Sequence, residues 1–200
     1  HEICMFQDLT KGTVADIMDD SVRFVHRQPL STKEREPARN LRILKKYIER
    51  VGDGDPRALY YYGGELSKHG HHGEAVAALK RHIELDKWPD QRCRAMLEVG
   101  NIYARLGFND EAIEWFSKAM FVRNWPEPML ALARVFFSMA RTGEAQEKRT
   151  LDKDQQFNLR RAAQWFFRGL EVEPLRDALL FTNPMERGQS YELLAASLAA

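Results

Sequence analysis

Histidine is concentrated in one short stretch of this sequence. Three of its six histidines, His69, His71 and His72, fall within four positions. Imidazoles this close could share a zinc ion, but such a site needs a preformed ligand set. That set commonly includes a histidine pair four residues apart on a helix, or cysteines. We therefore predict a solvated turn here in preference to a metal site.

The composition and charge of the chain argue against several other kinds of site and partner. Lys and Arg number 30 against 29 Asp and Glu, so no global charge attracts nucleic acid or an acidic membrane, although local patches are possible. The two cysteines, Cys4 and Cys93, are too far apart for a disulfide framework or a zinc motif. No apolar run approaches the roughly 18 residues of a membrane span. We expect a cytoplasmic protein without a nucleic-acid partner.

The chain contains an internal repeat with an offset of 37 residues. ALYYYGGELSKHGHHGEAVAALKRHIELD (58–86) aligns without a gap with AMLEVGNIYARLGFNDEAIEWFSKAMFVR (95–123). The matched pairs include Gly63 with Gly100, Gly70 with Gly107, Ala75 with Ala112, and Leu79 with Phe116. The histidine stretch therefore occupies the turn that LGFNDEA occupies in the second copy.

This spacing of small and bulky residues is the tetratricopeptide pattern, in which two antiparallel helices form each copy and the copies stack. We predict a mostly α fold, a tetratricopeptide-like solenoid of helix pairs, preceded by a short irregular or strand segment. The repeated Trp115-Phe116 and Trp165-Phe166-Phe167 favour core packing over a ligand platform.

The repeat predicts the domain organisation. The repeat domain covers 39–200, with copies near 56–87, 93–124 and 126–174, a polar insertion at 142–157 and a partial copy from 188. Between the first two copies, Trp88-Pro89 ends one helix and Asp90 can cap the next. Residues 1–38 lie outside the repeat, with a strand near 21–26 and a polar loop at 30–38. Both ends look cut, so we expect a fragment of a longer protein.

Segments throughout the chain resemble a second family. Bacterial and phage family 2 glycosyltransferases include a group in which a GT-A catalytic domain precedes tetratricopeptide-like helices. The segments that resemble that group are His1-Glu2, VRFVHRQP (22–29), Arg39-Asn40-Leu41, DPRALY (55–60), WPD (88–90), EPMLALA (127–133) and SYELLAA (190–196).

The resemblance implies an enzyme that transfers sugar from a nucleotide sugar with a divalent metal, Mg²⁺ or Mn²⁺, held by an Asp-x-Asp motif. In this chain only His1, with Glu2 beside it, could inherit the family's metal-shell or acceptor-site histidine. The literal Asp-x-Asp matches, Asp53 to Asp55 and Asp152 to Asp154, sit in a turn and in the insertion, so we predict neither is catalytic. The chain alone lacks the nucleotide-sugar machinery, and we predict no cofactor in it.

The repeat register also predicts a binding surface, because the first helices of such arrays form the concave face. That face is mildly basic, which suits a carboxylate-bearing peptide. The alternative is that these are ordinary solvated helix positions. The residues predicted to line the face are Tyr60, Lys68, Leu97, Asn101, Arg105, Leu130, Arg134 and Phe137.

Two functions remain open at this level. The chain is either the tail of a glycosyltransferase that binds an acceptor polypeptide, pairs with another copy or braces the catalytic domain, or a stand-alone interaction adaptor. A separate enzyme activity is not expected, because no nucleophile–base constellation or phosphate loop is present.

Overall fold

A computed structural model describes residues 6–8, 13–15, 38–141, 151–172 and 184–198 of the 200-residue chain. The chain divides into two units, 1–36 and 37–200. In the first unit, β1 (Phe6–Asp8) pairs antiparallel with β2 (Thr13–Ala15), and Phe6 lies opposite Ala15. The predicted strand at 21–26 lies outside the described residues, as do His1 and Glu2.

The described part of the second unit is helical. It contains α1 (Arg39–Val51), α2 (Pro56–Lys68), α3 (His72–Leu85), α4 (Pro89–Arg105), α5 (Asn109–Val122), α6 (Pro126–Arg141), α7 (Lys153–Glu171) and α8 (Pro184–Leu198). The closest-packed neighbours are the pairs α2–α3, α4–α5 and α6–α7, and each pair also packs on the next. The predicted fold class, a mostly α array of stacked helix pairs, is confirmed.

Glycines set the spacing within the first two pairs. A methyl group on Gly63 would lie 2.7 Å from Leu79 Cγ, and one on Gly100 would lie 2.6 Å from Phe116 Cδ1. Both distances are too short, so the second helix of each pair packs directly against the backbone of the first. Small residues therefore stand where the helices approach closely, as the repeat pattern predicts.

The turns within these two pairs are also alike. Gly70 and Gly107 each have φ of +81°, in the left-handed region that favours glycine. The amide of His71 donates to the carbonyl of Leu66 at 2.9 Å, and Phe108 donates to Tyr103 at 3.0 Å. The histidine stretch thus forms the same tight turn as its counterpart.

Three helix starts differ from the sequence-based boundaries. Pro89 begins α4, so Asp90 lies in the first turn instead of capping it, and its buried carboxylate contacts Arg123 Nε at 2.5 Å. Helix α7 begins at Lys153, inside the predicted insertion 142–157, because Asp152 and Gln155 form a capping box. Helix α8 begins at Pro184, before the predicted position 188.

The burial of the repeated aromatic residues depends on the direction in which each side chain leaves its helix. Phe116 and Phe166 are buried, and Trp115 and Trp165 pack partly buried against the core. Phe167, however, is 58% exposed, so its prediction as a core residue is wrong. Successive side chains on a helix point about 100° apart, which turns Phe167 away from the core that Phe166 enters.

Candidate functional site

Two adjoining grooves run along the face formed by the first helices α2, α4 and α6. The first groove, between α2 and α4, has a volume of about 370 Å³. It is lined by Tyr60, Tyr61, Gly64, Glu65, Ser67, Lys68, Leu79, Arg94, Glu98 and Arg105. The second groove, between α4 and α6, has a volume of about 340 Å³. It is lined by Glu98, Asn101, Ala104, Arg105, Asn109, Phe116, Ala131, Arg134, Val135 and Ser138.

Cations outnumber carboxylates in the lining of the grooves. Four basic residues contribute to it, Lys68, Arg94, Arg105 and Arg134, against two acidic residues, Glu65 and Glu98. Lys68 Nζ lies 2.7 Å from Glu65 Oε1, so part of the positive charge is compensated within α2. The remaining excess of positive charge favours a ligand that carries carboxylates.

Arg105 and Glu98 belong to both grooves. The side chain of Arg105 donates from Nη2 to Ser67 Oγ at 2.7 Å, which ties the end of α4 to α2. The residue is nevertheless exposed. A guanidinium with five donors can keep this bond and still offer donors to a ligand in either groove.

Tyr60 gives the first groove an aromatic wall with a polar tip. Its ring packs edge-on against Tyr61 at a centroid distance of 5.7 Å. Burial raises the pKa of Tyr60 to about 12, although the nearby Arg94 guanidinium opposes the rise. The phenol therefore stays protonated at neutral pH and is available as a hydrogen-bond donor.

The structure places most, though not all, of the predicted surface residues in the grooves. Tyr60 and Lys68 line the first groove, Asn101 and Arg134 the second, and Arg105 both. Leu97 and Phe137 are instead half-buried against the core clusters of the second and third helix pairs.

The prediction for Leu130 is wrong. This side chain is 1% exposed and fills the space above Gly169, where a methyl group would lie 2.8 Å from Leu130 Cδ2. The groove positions of α6 are Ala131, Arg134, Val135 and Ser138, one step around the helix from Leu130. A strict helical phase would have found them, and likewise Arg94, which shares a stripe with Glu98, Asn101 and Arg105.

The histidines His69, His71 and His72 lie in the turn between α2 and α3 and at the start of α3. His71 Nδ1 lies 3.6 Å from Glu74 Oε1 on the surface, and His69 is exposed. Within the ranges that the structure describes, no three His, Cys, Asp or Glu side chains are grouped to hold a metal ion. A histidine that sequence reasoning missed, His82, is buried, with Nδ1 2.8 Å from the carbonyl oxygen of Pro56.

The literal Asp-x-Asp carboxylates have structural contacts. Asp53 accepts a hydrogen bond from Arg81 Nε at 3.0 Å, and Asp55 accepts from the amides of Arg57 and Ala58 at the start of α2. The amide hydrogen bonds, that of Ala58 above all, lower the pKa of Asp55. Asp152 caps α7 by accepting from the Gln155 amide at 2.7 Å.

Across the described residues, no helix is both long enough and apolar enough to traverse a bilayer.

Comparison with known proteins supports the fold. The chain is similar to the crystal structure of the MamA protein, with a TM-score of 0.51 and 16% identity over 80% of this chain and 75% of that one. It is also similar to PilF of Pseudomonas aeruginosa, with a TM-score of 0.50 and 16% identity over 77% of this chain and 62% of that one. Neither a protein-family model nor a curated protein matches. The chain therefore has a tetratricopeptide-like fold.

Proposed function

We propose that this chain is a protein-interaction adaptor that binds an extended, carboxylate-bearing segment of a partner protein along the first-helix face. The observation that carries the proposal is the pair of adjoining grooves joined at Arg105. A helical repeat array offers such a continuous surface because each copy adds one first helix to it. The basic excess and the polar tip of Tyr60 provide donors for carboxylates and for the partner's backbone.

The grooves are open to solvent, which fits a peptide chain better than a buried small molecule. Core residues such as Leu79 and Phe116 contribute to the lining of the grooves. An extended segment can place alternate side chains into successive depressions, and Arg105 lies where the two meet. The partner is either a different protein or a second copy of this chain, and the experiment below separates these.

Attachment to a glycosyltransferase catalytic domain stays a prediction of the sequence resemblance, and the comparisons give it no support. The roles of His1 and Glu2, the nucleotide sugar and the divalent metal stay predictions with it. The upstream peptide sequence of the natural protein tests the attachment, on which the other predictions depend. A nucleotide-sugar domain before His1 would establish the parent enzyme, and another domain there would remove it.

A peptide-display selection against the full chain tests the adaptor proposal. We expect selected sequences to be enriched in Asp and Glu, and we expect Arg105→Glu to abolish their binding. The matched control is Arg161→Glu, an equal charge reversal at an exposed position on α7, outside both grooves. Retained binding by Arg105→Glu, or equal loss by both variants, would refute the site. Analytical ultracentrifugation of the free chain and of Arg105→Glu shows whether a second copy occupies it, because occupation of the grooves requires a self-association that the variant loses.

A further inference from the structure

Helix α1 differs in charge from the rest of the chain. Its thirteen residues include five cations, Arg39, Arg42, Lys45, Lys46 and Arg50, and one carboxylate, Glu49. With 30 basic and 29 acidic residues in the whole chain, the sequence outside α1 has 25 basic and 28 acidic residues. The chain is therefore nearly neutral only because one helix concentrates positive charge that the remainder lacks.

The five cations lie on the solvent side of this helix. All of them are exposed, and α1 has no fully buried residue. Its apolar side packs Leu41 and Ile48 against the core cluster beneath α2. Among the described helices α1 packs only on α2, so the opposite side is open over a length of roughly 20 Å.

One apolar side chain stands at the edge of this basic face. Ile43 is 47% exposed. Helical spacing makes Arg39 and Lys46 its neighbours on the surface, at four residues before it and three residues after it, and Arg50 follows one turn beyond Lys46. The face thus combines a row of cations with a protruding branched hydrocarbon.

We propose that the exposed face of α1 docks on an anionic lipid surface, with the cations against the headgroups and Ile43 reaching below them. Cations next to such a surface are attracted by its negative potential, and an apolar side chain among them gains from entering the acyl boundary. This surface is separate from the two grooves, so the proposal does not depend on the adaptor function.

A lipid surface fits these observations better than a nucleic acid does. Phosphates of RNA or DNA would use the cations equally well, but they offer nothing to an exposed isoleucine at the edge of the face. The aromatic side chain beside the basic face, Tyr47, is half-buried, its hydroxyl donates to Asp55 at 3.0 Å, and the Arg50 guanidinium lies 6.0 Å from its ring centroid, so the ring is a poor platform for base stacking.

Co-sedimentation of the full chain with vesicles tests the proposal. We expect binding to phosphatidylcholine vesicles that contain phosphatidylserine and none to pure phosphatidylcholine. The double variant Lys45→Gln/Lys46→Gln should weaken partitioning on the order of twentyfold, since each cation contributes about a factor of five. The matched control, Lys87→Gln/Lys153→Gln, removes two exposed lysines from other parts of the chain and should bind normally. Binding should also be lost at about 1 M salt.

The Ile43→Ser variant separates a lipid surface from other polyanions, because it leaves the charge unchanged. We expect it to weaken vesicle binding by about fivefold. Thermal melting by circular dichroism will verify that each variant is folded. Absence of binding to the anionic vesicles would overturn the proposal, and so would equal binding by the lysine variant and its control. Tighter binding to a single-stranded RNA oligonucleotide, unaffected by Ile43→Ser, would assign the face to nucleic acid instead.

Discussion

Gly100 lies directly beneath the ring of Phe116, and the ring leaves no space for a methyl group. Gly64, on the neighbouring first helix, has no atom within 4 Å of where a methyl group would be. The two glycines look equivalent in the sequence, as ordinary helix positions. Only the repeat alignment, which pairs Gly100 with Gly63, indicates that one of them is a packing site.

We predict that Gly100→Ala will lower the free energy of unfolding by about 1–3 kcal/mol, because the ring must shift within a filled core. The control Gly64→Ala should raise it by up to about 1 kcal/mol, since alanine is the better helix former where space is free. Urea unfolding measures both changes. A Gly100→Ala protein as stable as the unchanged chain would contradict the packing described here.

Cys93 is a second residue whose behaviour follows from its surroundings. It is fully buried, and its Sγ lies 3.5 Å from the carbonyl oxygen of Ala119. Burial raises the pKa of the Cys93 thiol from 9.0 to about 12, and the carboxylates of Glu127 and Asp90 add to the rise. The thiol is therefore protonated and shielded in the folded protein.

We predict that Cys93 will react with a disulfide reagent at mildly alkaline pH only after denaturant is added, in a Cys4→Ser background. The raised pKa also means that the folded state holds this proton more tightly than the unfolded state. The associated stabilisation is complete below pH 9 and is lost as the pH rises toward 12. Fast labelling of the native protein would show that the thiol is accessible.

At the scale of the element, the start of α7 shows what the repeat template could not supply. The template begins its second helix at Asn158 and predicts an insertion over 142–157 before it. However, the Asp152 carboxylate accepts a hydrogen bond from the Gln155 backbone amide at 2.7 Å, and the Gln155 side-chain oxygen accepts one from the Asp152 backbone amide at 3.0 Å. A local cap therefore extends the helix to Lys153, independently of the repeat.

We predict that Asp152→Ala will cost about 0.5–2 kcal/mol of stability, because the Gln155 amide loses its acceptor. Asp152→Asn is the matched control and should retain most of that stability, since its amide oxygen can still accept. Thermal melts monitored by circular dichroism compare the two variants. Equal stability of the alanine and asparagine proteins would exclude a contribution from the cap.

The candidate site also shows what the repeat pattern alone cannot predict about a helix. The sequence predicts which helices form the binding face, because repeat register assigns first helices to it. Repeat register alone does not fix the rotation of each helix about its own axis to within one residue, and the prediction for Leu130 fails for that reason. The burial of Leu130 beneath α7 depends on Gly169, a contact between segments separated by 142–150.

At the scale of the whole molecule, the array is stabilised by contacts between adjacent helices. Helices α4, α5 and α6 each have packed neighbours on both sides in the chain, whereas α1 packs on α2 alone among the described helices. The repeat pattern predicted this serial arrangement because each helix pair leaves an apolar side that only the next can cover. The exposed charge of α1 was not predicted, since the near-neutral totals conceal it.

We predict that amide hydrogen exchange, measured by mass spectrometry on the full chain, will be fastest in α1 and slowest in α4 and α5. The reason is that opening an end helix exposes one interface, whereas opening a central helix exposes two. Uniform protection from α1 to α6 would instead indicate a single cooperative unit.

The length of the connections between paired helices also has a consequence for engineering. Three residues join the two helices of each of the first two pairs, at 69–71 between α2 and α3 and at 106–108 between α4 and α5. The connection between α6 and α7 is longer, at 142–152, and those helices still pack closely. The entropy of closing a longer connection grows only slowly with its length, so this junction can accept added chain. A fluorescent reporter domain grafted within 142–150 would thus leave the helix array intact. The fluorescence of such a fusion would report when a ligand occupies the second groove, whose far wall is α6. No separate label would be needed.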